Sequence, residues 1–119
     1  MLKFTDSHEW IQVDGDIGVV GITTHAQQEL GEIVYLELPT IGKCVAMGEE
    51  ACVLESTKAA ADIYSPVSGE VVDINTELKE TTEKINQEPQ KSGWLFKVKL
   101  SHPHELQELL DETEHSALL

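Results

Sequence analysis

Of the eight lysines in the chain, Lys58 has the surroundings best suited to covalent chemistry. It stands in Glu55-Ser56-Thr57-Lys58-Ala59-Ala60-Ala61-Asp62. On one side runs Ala51-Cys52-Val53-Leu54, and on the other Ile63-Tyr64-Ser65, stopped by Pro66. Two strand-like runs around a few small polar residues predict a β-hairpin. No Gly or Asn sits at the tip, so a turn of φ < 0 residues, such as type I, is expected, with Lys58 at the apex. The small neighbours Thr57, Ala59, Ala60 and Ala61 would let another protein's active site close over the amine. Most exposed lysines are simply solvated, so this hairpin alone does not separate a modification site from an ordinary turn.

The remaining reactive residue types form no comparable set. Gly42-Lys43-Cys44 and Gly48-Glu49-Glu50 read as turns, because the spacing of a phosphate loop is absent. His102 and His104 straddle Pro103 with no further ligand set in sequence, which argues against a metal centre. His25 and His115 read as surface residues. No GxSxG elbow frames a serine nucleophile. Cys44 and Cys52 lie in apolar runs without CxxC spacing and read as buried structural thiols. The chain offers a carrier better than an enzyme.

Composition narrows the partners. There are 22 acidic residues against 8 lysines and no arginine, for a formal charge of −14. Nucleic acid is an unsuitable partner without a basic face, and an anionic membrane surface is disfavoured for the same reason. Such a surface suits encounters with partners that present basic docking sites. At 119 residues a single domain spanning 1–119 is expected. The first residues carry neither an apolar h-region nor an Arg-rich presequence, so a cytoplasmic location is the expectation; a monomer is expected as well.

The elements that must position Lys58 are mostly short strands. Asp14-Gly15-Asp16 between two apolar runs predicts a hairpin. Thr24 with Gln27 matches a capping box and predicts a short helix over 24–30, closed by Gly31. Glu32–Leu38 reads as a strand with Val34, Leu36 and Leu38 on one face. Further strands are separated by Gly42, Gly48, the lysine tip, Gly69 and the polar run from Asn75 to Glu83. That rhythm predicts a mainly β fold, a sandwich or flattened barrel. A final strand from Trp94 to Leu100 and a C-terminal helix over 102–111, with Leu106, Leu109 and Leu110 as its apolar stripe, complete it. Residues 112–119 are expected to fray.

Lys58 with Glu55 upstream, Gly42 before it and Gly69 after it in Ser65-Pro66-Val67-Ser68-Gly69-Glu70-Val71 resembles the lipoyl/biotinyl attachment domains. Thr57 and Ala59 stand where biotin domains carry Met, which is the lipoyl pattern. His8-Glu9-Trp10, Val20-Gly21-Ile22-Thr23, Gly31-Glu32-Ile33-Val34, Leu38-Pro39 and Gly93-Trp94 follow in the order found in the H proteins of the glycine cleavage system. The resemblance covers roughly residues 3 to 112 and implies a flattened barrel-sandwich hybrid of two antiparallel sheets, with lipoate attached to Lys58. It implies Glu55 and Gly69 as residues read by the lipoate-attaching enzyme, and Ser7, Glu9 and Asp62 as a cleft for the loaded arm. The implied partners are a pyridoxal-phosphate glycine decarboxylase that loads an aminomethyl group, a tetrahydrofolate-dependent aminomethyltransferase that unloads it, and an FAD dihydrolipoyl dehydrogenase.

Three departures accompany the resemblance. Glu88-Pro89-Gln90-Lys91-Ser92 replaces the usual Asp-Pro-Tyr-Gly before Gly93-Trp94, Thr57 stands for Val, and Ala61 stands for Ser. They leave a divergent lipoyl or octanoyl carrier, serving lipoate relay to 2-oxoacid dehydrogenases or another lipoyl pathway, as the alternative.

Overall fold

The apolar runs Trp10–Val13 and Ile17–Ile22 flank Asp14-Gly15-Asp16, and the computed structural model, which describes residues 1–119, pairs them as expected. Strand β2 (Glu9–Asp14) runs antiparallel to β3 (Ile17–Ile22) across a turn with Gly15 at φ +64°. They belong to a six-stranded sheet with β1 (Leu2–Phe4), β5 (Cys44–Val45), β8 (Gly69–Ile74) and β9 (Phe96–Leu100), in the order β1-β2-β3-β9-β8-β5. A second sheet holds β4 (Ile33–Glu37), β6 (Glu50–Ser56) and β7 (Ala60–Tyr64), in the order β4-β6-β7. All pairings are antiparallel. Ile11, Val20, Ile22, Phe96 and Val98 from the large sheet meet Ile33, Leu36, Leu54 and Ile63 from the small one in a single buried core. The molecule measures 37 × 34 × 21 Å, the flattened two-sheet sandwich expected from the strand rhythm. No helix is long and apolar enough to cross a membrane.

Local departures from expectation have identifiable causes. Helix α1 (Thr24–Leu30) is capped one residue earlier than read, by Thr23, whose hydroxyl accepts the Ala26 N–H at 3.1 Å. In β4 a bulge falls between Ile33 and Tyr35. It resets the alternation, so Ile33 and Leu36 are buried while Val34, expected inward with Leu36, is exposed. The polar run after Asn75 contains a 3₁₀ turn (Thr76–Lys79) and, beyond it, the short helix α2 (Glu83–Gln87). Leu78 and Ile85 anchor these two segments in the core.

The C-terminal segment differs most. Where an α-helix over 102–111 was expected, Pro103–Glu108 forms a 3₁₀ turn and Leu109 is extended. Leu106 and Leu109, three apart, both enter the core, a spacing that matches the 3₁₀ period. Leu110 then pairs with Phe4, each N–H donating to the other's carbonyl at 2.8 Å. Residues 112–119, expected to fray, instead include helix α3 (Glu112–Ser116), which opens with a reciprocal capping box between Asp111 and Glu114. His115, read as a surface residue, is only 5% exposed, because its ring stacks on Phe4 with centroids 4.6 Å apart.

Candidate functional site

The hairpin tip is shaped by a side chain. Strands β6 and β7 pair Leu54 with Ala61 and Glu55 with Ala60. The Ser56 N–H then donates to the Ala59 carbonyl at 2.8 Å. Ser56 Oγ accepts the Lys58 and Ala59 N–H groups at 3.0 and 3.1 Å. No residue of the tip has positive φ, as the absence of Gly and Asn implied. The Thr57 N–H donates to the Glu32 carbonyl at 3.1 Å, which ties the tip to the approach of β4. Lys58 is exposed and takes part in none of the three ion pairs. Its aliphatic chain lies beside Gly31, the residue that ends α1 at φ +88°. Asn86 of α2 steadies this region, accepting the Ile33 N–H at 2.8 Å and donating to the Ile33 carbonyl at 3.2 Å.

A cleft of about 260 Å³ runs between α1 and β7, with Leu30, the residue before Gly31, in its wall. Ile22, Ala26, Leu30 and Ile63 give it apolar walls, and Ser7, Glu9, Glu29 and Asp62 give it polar ones. The three residues that the family resemblance named, Ser7, Glu9 and Asp62, therefore border one cleft. Glu9 is 1% exposed. A buried carboxylate is tolerated only when hydrogen-bonded. Its Oε1 accepts the Thr5 hydroxyl and, at 2.6 Å, the Ser7 hydroxyl. Its Oε2 receives only the Tyr64 N–H, at 3.4 Å. A carboxylate has about four acceptor positions, so Glu9 retains capacity for a cationic donor. Asp62 lies on β7 opposite Val53 and is exposed.

Around His8 gather two further imidazoles, His25 and His115, that sequence reasoning did not bring together. His8 lines the cleft and is the only non-glycine residue with positive φ, +70°. Its Nδ1 lies 2.9 Å from His115 Nε2, and its ring meets that of His25 edge-on at 4.6 Å. His25 Nε2 lies 2.6 Å from Glu29 Oε1. Burial, followed by the nearby His8 and His25, pushes the His115 pKa below the usual imidazole value. The Asp111-x-x-Glu114 capping signature could have placed α3, but nothing in the sequence could have paired His115 with His8.

The other residues singled out in sequence fall elsewhere. Glu55 is exposed on β6 between Tyr35 and Ala60, on the lysine hairpin. Gly69 is not in a turn. It begins β8 in the other sheet, where a Cβ would come within 2.1 Å of the Lys99 carbonyl oxygen. Close strand approach thus accounts for this glycine. Cys52 is buried as expected, its thiol pushed up to about 12 chiefly by burial, whereas Cys44 is exposed. The divergent segment Glu88–Ser92 is structural: the Pro89 carbonyl accepts the Trp10 indole N–H at 3.0 Å, and Gln90 Oε1 accepts the Thr24 N–H at the start of α1 at 3.0 Å.

A flattened sandwich of two antiparallel sheets that offers one unpaired lysine from a hairpin tip has the architecture of the lipoyl-type carrier domains. Residues 2–119 match the family model described as Glycine cleavage H-protein. The chain is 50% identical over 115 residues to the glycine cleavage system H protein of Parvibaculum lavamentivorans, covering 97% of this chain and 92% of that one. It is 54% identical over 115 residues to the namesake protein of Vibrio parahaemolyticus, covering 96% and 91%. The crystal structure of a glycine cleavage system H protein from Mycobacterium marinum superposes with a TM-score of 0.88 at 34% identity, covering 98% of this chain and 94% of that one. The chain belongs to the glycine cleavage H-protein family. Its role is that of the non-catalytic lipoyl carrier of the glycine cleavage system, working with that system's enzymes.

Proposed function

We propose that Lys58 is the residue that carries lipoate, and that the cleft bordered by Ser7, Glu9 and Asp62 shelters the loaded arm between visits to partner enzymes. The observation that carries this reading is an exposed, unpaired lysine lying against Gly31, the residue that follows Leu30 of the cleft wall, with an incompletely bonded buried carboxylate on the same cleft. The site suits the group: small residues flank Lys58, and no acidic side chain holds its amine. Joined to Lys58 as an amide, lipoate supplies a dithiolane that takes up and gives back cargo and electrons.

The chain's own residues do the rest. Ser56 fixes the tip so that Lys58 projects from it. Glu55 presents a carboxylate to the attaching enzyme, and Gly69 supports the surface that enzyme reads. Ile22, Ala26, Leu30 and Ile63 exclude water from the cleft. Ser7, Glu9 and Asp62 accept hydrogen bonds from the cationic amine of an aminomethyl cargo. The enzymes served are the pyridoxal-phosphate glycine decarboxylase, the tetrahydrofolate-dependent aminomethyltransferase and the FAD dihydrolipoyl dehydrogenase. The acidic surface suits docking on basic rims of such enzymes, as a monomer in the cytoplasm.

The test is ammonia release from purified loaded carrier in the absence of transferase. Charge-assisted hydrogen bonds contribute roughly 1.5–3 kcal/mol, and each ~1.4 kcal/mol lost shortens the lifetime about tenfold. Glu9→Ala is expected to release ammonia at least tenfold faster (~10-fold or more) with lipoylation unchanged. An unchanged release rate would refute the shelter role.

A further inference from the structure

We propose that His115, outside the cleft, is a positioning residue for it: its hydrogen bond to His8 holds the backbone that aims Glu9 inward, and protonating both imidazoles releases that hold. This rests on the shelter reading of Glu9. A non-glycine residue at φ +70° is strained and persists only when its surroundings fix it. His8 is fixed at three points. Its N–H donates to the Thr5 carbonyl at 3.2 Å, its carbonyl accepts the Thr23 N–H at 3.0 Å, and its ring bonds His115 at 2.9 Å. Glu9 follows directly, and its own N–H donates to Thr5 Oγ at 3.1 Å, so the turn and the carboxylate share one scaffold.

His115 reaches this scaffold from α3, which is secured to β1 by the Phe4–Leu110 pairing. The last turn of the chain thereby acts on a cleft that it does not line. The contact is sensitive to protons for a simple reason. Between two imidazoles one nitrogen must donate and the other accept; two cationic rings have no acceptor and repel. The titratable and charged groups on the elements around the pair are His25 and Glu29 on α1, Asp6 in the turn, Glu9 at the start of β2, Lys3 on β1, and Asp111, Glu112 and Glu114 at α3. Asp111 and Glu114 are engaged with each other's backbone, and Glu29 with His25. Glu9 is held by Thr5 and Ser7. At neutral pH the burial of His115, with His8 and His25 close by, favours its uncharged form, which keeps the bond made.

The experiment is amide hydrogen exchange on the unlipoylated protein from pH 7.5 to 5.5, as protection factors, with the β6–β7 amides as internal reference. His115→Phe keeps an aromatic ring for Phe4 but cannot bond His8. His115→Gln keeps a donor and an acceptor that do not titrate in this range. In the parent, protection at Glu9 and Thr23 is expected to fall on acidification. In His115→Phe it is expected to be low throughout, by roughly three- to tenfold, the factor one net hydrogen bond supplies. His115→Gln is expected to restore it and remove its pH dependence. Parent-like protection and pH dependence in His115→Phe would overturn the proposal. On loaded carrier, His115→Phe should hasten ammonia release and His115→Gln should not. If Glu9→Ala leaves release unchanged while the exchange pattern holds, the shelter reading fails and the His115–Glu9 coupling stands.

Discussion

The side chain of Lys58 rests against Gly31: a β-carbon built on Gly31 would lie 3.4 Å from Lys58 Cε and 3.8 Å from Nζ. The glycine that ends α1 thus forms the bed on which Lys58 lies. Its backbone, φ +88° and ψ −159°, falls in a region that side chains rarely adopt. Gly31→Ala is expected to cost about 1–3 kcal/mol of stability, measured by urea denaturation, and to turn Lys58 away from α1. Parent-like stability would show that the loop relaxes and that Gly31 is not required there.

Much of this arrangement was legible in the sequence. The hairpin, its apical lysine, the two sheets and α1 follow from alternation, turn residues and caps, which act over a few residues. The cleft residues Ser7, Glu9 and Asp62 came from likeness to a family, since two acids among 22 are otherwise indistinguishable. The bulge at Val34 was not legible: no local signal marks it, and the Asn86 bonds to the adjoining Ile33 backbone come from a helix about 50 residues on. Gly69 was misplaced in a turn because the close Lys99 carbonyl belongs to a strand thirty residues on. The His8–His115 contact joins residues 107 apart, beyond any local pattern.

The two thiols should differ sharply in reactivity. Cys44 is exposed, whereas Cys52 is buried with its thiol pushed up to about 12, so little of it is the reactive thiolate at neutral pH. Native protein treated with iodoacetamide is expected to gain one adduct, on Cys44, and a second only after denaturation. Rapid double labelling of native protein would contradict the burial of Cys52.

Stability should also depend on pH through His115. Its folded-state pKa lies below the ordinary value of about 6.5, so the unfolded chain binds the proton more readily. The contribution is therefore fully present above that ordinary value and is lost as pH falls through the folded one. Thermal unfolding of the unlipoylated protein at pH 7.5 and 5.5 is expected to show a drop that His115→Phe reduces. An equal drop in both proteins would mean that His115 does not titrate in this window.

The central claim is that Lys58 is the single point of lipoate attachment, and peptide-resolved mass spectrometry of the protein from its native cell tests it most directly. The account predicts one lipoyl increment, on the peptide containing Lys58, and none in a folded Lys58→Ala variant. A lipoyl increment on any other lysine, or one that persists in Lys58→Ala, would contradict it.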